Sequence, residues 1–532
     1  MTTRASVPGS VAVEQRHWWL PSLSQFIWLV FFLGLLLTQW RLALINADGD
    51  ACLHWRIGHW MIEHHAVIRS DVFSHTRAGA PLISKEWLSE VSFAACGDAF
   101  GWNGIVLLSA VLIATCLWLL HRQLLAEGTE PLLATALTLA AALACSVHWL
   151  ARPHLFTHIL AIIFAWQLRW FDLGRLRGQS LLFRLVPLMV LWVNLHGAFF
   201  TGLVIIGTFL IGNGIALFTC ESSKRPEVQK KLATLALLAV GCSLVILVNP
   251  NGWKLPAHIM EFFRDPTLAH YTNEFRSPSF HSHGARGFLI ELALIATTLM
   301  ILRSRFSTVD LIVMGTWGFL ALFAARNVPI FALLVTPVLA GHWQTALQTA
   351  DTSCILNRYR RFSANLAQFN RTADGRVTAL LVFIAALALV AKPRLVGGDA
   401  IVTSDVLSNR FPVAATSFLA AHPRAVHGEM FNDYSWGGYL MLATPDRKVF
   451  VDGRNDFYGT DLILEFDKVN QVRPGWDVVL RKYNVSWTIL PRGHALNTVL
   501  ALDPSWQLVH ADEVAAIYGR VEKIPTSRDL SG

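Results

Sequence analysis

About eleven stretches of some twenty mostly apolar residues punctuate this chain, and they decide its class before any motif is read. They lie near 24–45, 103–122, 131–150, 153–171, 181–197, 199–219, 231–249, 287–303, 308–325, 327–344 and 376–392. Backbone N–H and C=O groups in hydrocarbon must satisfy one another, so each stretch is expected as a helix crossing a bilayer. Composition agrees, with 54% hydrophobic residues, 15% charged residues and a mean hydropathy of +0.44. Such values exclude an ordinary soluble domain. The net charge of +8 does not indicate nucleic acid, because the basic residues sit in short loops between apolar runs. The 20 tryptophans suit interfacial belts. About two dozen mostly polar residues precede the first stretch and no clear cleavage site follows it, so it reads as a retained signal anchor.

Loop charge sets the orientation. Arg175 and Arg177, then Lys224, Arg225, Lys230 and Lys231, then Arg303 and Arg305, then Arg358, Arg360, Arg361 and Arg371 fall in alternate loops, and these are assigned to the cytoplasm. The N-terminus (1–23) is then cytoplasmic. The first loop (46–102), the loop at 250–286 and the segment 393–532 lie outside, in the periplasm of a bacterial inner membrane. The expected architecture is a multi-pass α-helical membrane protein with a core over 24–392 and a small C-terminal α/β domain. No internal repeat or low-complexity tract is evident.

Within the first loop, Leu53, Ile57, Trp60 and Met61 recur at helical spacing, with Asp50 and His54 one turn apart on the flank. Ser84 is a candidate N-cap for a second amphipathic helix striped by Trp87, Leu88, Val91 and Ala95. In the C-terminal segment, Pro412–Ala421 and Trp476–Tyr483 suit helices, while Lys448–Asp452 and Val485–Leu490 suit strands. Seven cysteines lack CxxC spacing. Cys116, Cys145, Cys220 and Cys242 lie in apolar runs, as packing residues do. Cys52 and Cys96 share the outer loop, where a disulfide is open to them.

The unusual polar residues gather on the outer side. Asp48 and Asp50 follow the first stretch. His148 to His154, containing Arg152, joins the third and fourth stretches. Asn194-Leu195-His196-Gly197 joins the fifth and sixth, Asn249-Pro250-Asn251-Gly252 follows the seventh, and Ala325-Arg326-Asn327 joins the ninth and tenth. Each has an ordinary explanation when taken singly: a solvated acid, a helix cap, a snorkelling arginine, a satisfied core histidine or a turn. Taken together they would line an outward cavity with acids on one wall and cations on another. An acid to activate an acceptor and cations to hold an anionic leaving group are what phosphate-leaving transfer requires. No P-loop or dinucleotide-type glycine-rich turn is present, and no HExxH spacing marks a zinc enzyme.

At this point the residues resemble a family. Asp50-Ala51-Cys52-Leu53-His54-Trp55-Arg56 is similar to the stretch after span one in the GT-C superfamily of membrane glycosyltransferases, which includes oligosaccharyltransferase catalytic subunits, protein O-mannosyltransferases and aminoarabinose transferases. Asn432-Asp433-Tyr434-Ser435-Trp436-Gly437-Gly438-Tyr439, followed by Pro445 to Asp452, is similar in order to the Trp-Trp-Asp-Tyr-Gly motif and the strand after it. With Gly438-Tyr439 aligned, the motif aspartate becomes Trp436, so Asn-glycosylating activity is not carried over. Tyr271-Thr272-Asn273-Glu274 resembles the outer-loop glutamate near the acceptor site.

The resemblance implies a polyprenyl-phosphate-linked sugar donor and a glycan, lipid or protein acceptor, with transfer inverting at the anomeric carbon. Asp50, with Asp48, would activate the acceptor. Arg152, His196 and Arg326 would stabilise the departing lipid phosphate. His54, His154, Asn194, Asn249, Glu274 and Asn327 would bind substrate. Asp50 and Glu274 are also candidate ligands for a divalent ion such as Mg or Mn, although the third-to-fourth loop offers Arg152 and His154 where the subunits have a further acidic pair. The alternatives are a flippase for a lipid-linked sugar, or a non-catalytic member of an envelope-polysaccharide assembly complex.

Overall fold

The first apolar stretch does not run straight. In the computed structural model it divides into α1 (Leu23–Leu37) and α2 (Trp40–Asn46), bent by 69°. Ser22 opens α1 with a capping box to Gln25. At the bend Thr38 turns its hydroxyl back to the Gly34 carbonyl, and the Arg41 guanidinium takes up the carbonyls of Leu37 and Thr38 that the break releases. The structure describes residues 17–281, 283–300, 302, 305–350, 353–392 and 402–521. The expected polar N-terminus up to residue 16, Ser282 and Arg303 lie outside the described residues, and so does the domain boundary at 393.

The membrane core continues through α3 (Asp50–His64), α4 (Trp87–Ala126), α5 (Pro131–Cys145), α6 (His154–Asp172), α7 (Gly178–Leu195), α8 (Phe200–Thr219) and α9 (Arg225–Val245). Short helices α10 (Lys254–Arg264) and α11 (Pro266–Tyr271) cross the loop at 250–286. They are followed by α12 (His283–Met300), α13 (Thr308–Phe323), α14 (Val328–Thr349), α15 (Cys354–Thr372) and α16 (Arg376–Ala391).

Among the described residues six helices are long and apolar enough to span a bilayer, and the α1–α2 pair makes up to seven. The shorter apolar helices Thr308–Phe323 and Arg376–Ala391 stand beside these, so the expected eleven are not reached. The shortfall has a cause in composition. α6 carries His154, His158 and Arg169, and α12 carries the fully buried Glu291. α14 is the hub: every residue from Val328 to Ala340 is buried, as befits a helix apolar all round. α9 shows the opposite, exposing Leu237, Val240 and Leu244 as a lipid-facing helix would.

α3 buries Leu53, Ile57 and Met61 as the spacing predicts. The second amphipathic helix is not separate. It is the first part of the 40-residue α4, broken at Gly101 (φ 61°, ψ −150°), where a side chain would be strained. Ser84 is not its cap. Glu86 precedes the helix without a capping bond, and the Ser84 hydroxyl donates instead to Glu90 at 3.1 Å. Ala95 is exposed, so the stripe ends at Val91. All seven cysteines are free, and Cys52 and Cys96 form no disulfide.

The C-terminal domain adds α17 (Val413–Ala421), α18 (Gly437–Ala443), α19 (Asn455–Asn470), α20 (Trp476–Lys482) and α21 (Ala495–Leu500) around a four-stranded sheet. The strands β1 (Glu429–Asn432), β2 (Val485–Pro491), β3 (Trp506–Ala511) and β4 (Ala515–Arg520) take the order β1-β2-β4-β3. Only β1 and β2 are parallel. Lys448–Asp452, expected as a strand, does not join this sheet. Val449 bridges Ser74 of the first loop, and the buried Asn432 amide oxygen accepts from the Phe450 N–H at 2.8 Å. Its apolar run is buried because it lies between the domain and the loop, and there its backbone groups find partners.

α18 lies against α3 through two glycines. A Cβ on Gly438 would run into the Gly49 carbonyl and the Leu53 Cβ. Gly438→Ala is therefore expected to cost about 1–3 kcal/mol, as overpacking does, read as a lowered thermal midpoint in detergent. An unchanged midpoint would mean that this contact yields freely.

Candidate active site

Four of the joints that carry the polar residues contain a short 3₁₀ turn: Ser146–His148, Gly197–Phe199, Asn273–Phe275 and Ala325–Asn327. Turns of this kind leave backbone groups and polar side chains facing one place. That place is a cavity of about 480 Å³ closed above by α3, the residues just before α4 and the start of α19. Asp50, His54, Arg152, His154, His196, Glu274, Arg326 and Asn327 all lie on its wall.

Three expected site residues do not line it. Asp48 stands behind Arg152, pairing with its guanidinium and accepting the Asp50 N–H at 3.0 Å. Asn194 is a structural tie, accepting from the Trp87 indole at 2.8 Å and donating to the Val190 and Val248 carbonyls. Asn249 closes its own turn through Ile246, Gly252 and Asn251.

Acids and cations are interleaved rather than set on opposite walls. Arg152 reaches Asp50 at 3.0 Å and Glu274 at 3.6 Å in addition to Asp48. Glu274 also meets His148 at 2.9 Å and Arg326 at 3.2 Å, and the Arg326 guanidinium lies over the Phe275 ring. Burial lifts the Asp50 carboxyl from 3.8 to about 6. Arg152 opposes that rise and Asp48 adds to it. Burial also acts on Glu274, but Arg326, His148 and Arg152 outweigh it and hold that carboxyl well below its usual range. The oxygens expected to hold Mg or Mn therefore already face a guanidinium, and the Asp50–Glu274 pair does not offer the oxygen-rich cradle such ions need.

Several wall residues escaped the sequence reading. The Glu86 carboxylate stands 3.3 Å from His196 and 3.8 Å from His54, and Glu90 is 3.6 Å from His54. Burial raises Glu86, against the lowering effect of His54 and Lys85. Asp456, at the start of α19, takes Lys85 at 2.6 Å and His258 at 2.8 Å, and these two cations hold it far below its ordinary value despite burial. His148 and His158 complete the wall beside His154. The pair Lys85-Glu86 at the apolar edge of α4 was a readable signal, of the same kind as Asp48 and Asp50. Asp456 carried none. Gly453 comes so close to Asp50 that a Cβ there would strike its carboxylate.

The cavity also has an apolar lining. It is formed by Phe200, Val204, Ile259, Phe263, Trp317, Leu320 and Phe323 from the spans and α10. Phe263 and Phe323 of this lining are also exposed on the surface of the protein.

No protein-family model matches the chain, and no curated protein sequence matches it. Solved structures do. The oligosaccharyltransferase AglB from Archaeoglobus fulgidus, in complex with an inhibitory peptide and a dolichol-phosphate, aligns over 88% of this chain and 69% of its own, at 12% identity and a TM-score of 0.57. The apo form of the Archaeoglobus fulgidus oligosaccharyltransferase aligns over the same shares at 12% identity and a TM-score of 0.54. ArnT from Cupriavidus metallidurans, bound to undecaprenyl phosphate, aligns over 94% of this chain and 98% of its own at 12% identity and a TM-score of 0.49. At such identity the likeness is one of fold: this chain folds like the archaeal oligosaccharyltransferase structures.

Proposed function

We propose that the chain is a glycosyltransferase moving a sugar from a polyprenyl-phosphate-linked donor to an acceptor at the outer face of a bacterial inner membrane. The observation that carries this reading is the mixed lining of the cavity: half-buried guanidinium groups and buried imidazoles together with aromatic and aliphatic side chains. A lipid phosphate is amphiphilic in the same way. The AglB structure of the same fold holds a dolichol-phosphate, which supports the reading. Positive charge in the opposite loops supports the outward orientation.

In this mechanism Asp50 accepts the proton of the acceptor hydroxyl as the hydroxyl oxygen bonds to the anomeric carbon. The bond from that carbon to the phosphate oxygen breaks, and the electron pair leaves with the lipid phosphate. Direct displacement inverts the anomeric centre. Arg326 is the better phosphate ligand, because Glu274 alone shares it among the carboxylates. Arg152 is held by three carboxylates. Its first task is to keep Asp50 ionisable, and it meets the phosphate as negative charge grows there.

A flippase would bind the same lipid but would be expected to set its ionisable groups near the bilayer midplane. Here they lie at the joints between helices. Purified protein incubated with a short-chain polyprenyl-phosphate sugar and candidate acceptors is expected to release polyprenyl phosphate. Movement of the intact lipid between leaflets with no release would overturn the proposal.

A further inference from the structure

We propose that His148, His154 and His158 form a binding site for a divalent transition metal of the zinc class. One ring nitrogen from each lies within 4.8 Å of the others, and all three side chains are more than nine-tenths buried on the cavity wall. Zn–N bonds of about 2.0–2.1 Å at tetrahedral angles hold nitrogens about 3.3 Å apart, so modest ring rotation closes the site. His154 and His158 are four residues apart on α6 and share a face, and the turn Ser146–His148 brings the third ring over them.

The far sides of the rings carry the second observation. A metal-bound imidazole commonly donates its other N–H to a carboxylate or a backbone carbonyl, which fixes its tautomer and orientation. His148 Nε2 meets Glu274 at 2.9 Å, leaving Nδ1 buried and without a hydrogen bond. His154 Nε2 meets the His148 carbonyl at 2.8 Å, leaving its own Nδ1 free to ligate. His158 makes no hydrogen bond among the described residues. Two imidazoles are thus held through Nε2, and the His148 Nδ1 is buried with no hydrogen-bond partner in the protein.

Donor chemistry selects the ion. Three neutral nitrogens suit zinc, cobalt, nickel or copper and do not suit magnesium or calcium. His54, Glu86 and Glu90 form a second candidate cluster in the same cavity. Its carboxylates already have partners, Glu86 in His196 and Glu90 in Ser84, and no comparable support stands behind His54. The tris-histidine set is therefore the better site. The inference does not depend on the transferase reading, because metal binding is measured without turnover.

The test uses the full chain in detergent, stripped with a chelator and titrated with Zn²⁺ or Co²⁺ alone. One zinc per chain is expected, with X-ray absorption reporting three imidazole nitrogens and Co²⁺ giving the intense visible bands of a four-coordinate site. His158→Ala should abolish stoichiometric binding, and Glu274→Gln should weaken it about 10- to 100-fold. Failure to bind zinc would overturn the proposal. So would an oxygen-rich absorption spectrum, or loss of binding in Glu90→Gln with retention in His158→Ala. Should His158→Ala not fold, the spectrum of the unsubstituted protein still decides.

Discussion

Asp50→Asn is expected to lower sugar transfer by about 10²- to 10⁴-fold, the share that a positioned general base supplies. The substitution keeps the shape of a side chain packed against Gly453 and beside Arg152, so the protein should still insert, purify and bind lipid phosphate. The same residue gives the reaction a pH signature. Only the ionised carboxylate accepts a proton, and burial places its midpoint at about 6, so transfer should fall as pH drops through that value. Arg152 works against the rise by favouring the charged form. Arg152→Gln should therefore move the acid limb to higher pH in addition to slowing transfer. Transfer assays across the pH range check both claims. Normal turnover by Asp50→Asn, or a limb that stays in place in Arg152→Gln, would remove Asp50 from the mechanism.

The largest loss of stability is expected at Arg454. Its guanidinium donates to Asp452 at 2.8 and 2.6 Å and to Asp71 at 2.8 Å, and the Tyr458 hydroxyl donates to Asp452 at 2.7 Å. Both carboxylates are fully buried, and the arginine joins the loop between α3 and α4 to the C-terminal domain. Arg454→Met removes the one cation that the two acids share, and breaking such a buried pair costs about 3–5 kcal/mol. The measurements are the thermal midpoint in detergent and the susceptibility of the domain to limited proteolysis. A loss under about 1 kcal/mol would show that water replaces the guanidinium easily. The effect on activity follows, because Arg454 also lines the cavity roof, where the loop and the domain meet.

Part of this site was open to a reading of the chain alone. Asp50 and His54 on one flank of α3 followed from four apolar residues at helical spacing, and eight of the eleven named site residues do line one cavity. α17, α20 and β2 matched their expected segments to within a residue or so because each announces itself over fewer than ten positions. Lys448–Asp452 carried the same strand signal and took a different partner. A buried apolar run says that it will be covered, not by what. Asn194 and Asn249 share residue types with binding groups, and only their hydrogen-bond partners show them to be ties within the scaffold.

The chain by itself determined its class and the gathering of its unusual polar residues at the joints between apolar stretches. These follow from local demands: hydrocarbon requires each backbone donor and acceptor to pair nearby, and a polar residue at a span end must face outward or bind something. Only the tertiary structure decided which charges meet. Asp48, Asp50, Arg152, Glu274 and Arg326 converge from four separate joints, and Lys85 finds Asp456 some 371 positions away. A carboxylate beside an arginine and a carboxylate in water are the same letter in a sequence. What separates them is distance through a folded, water-poor interior, where the strength of each Coulombic contact is set.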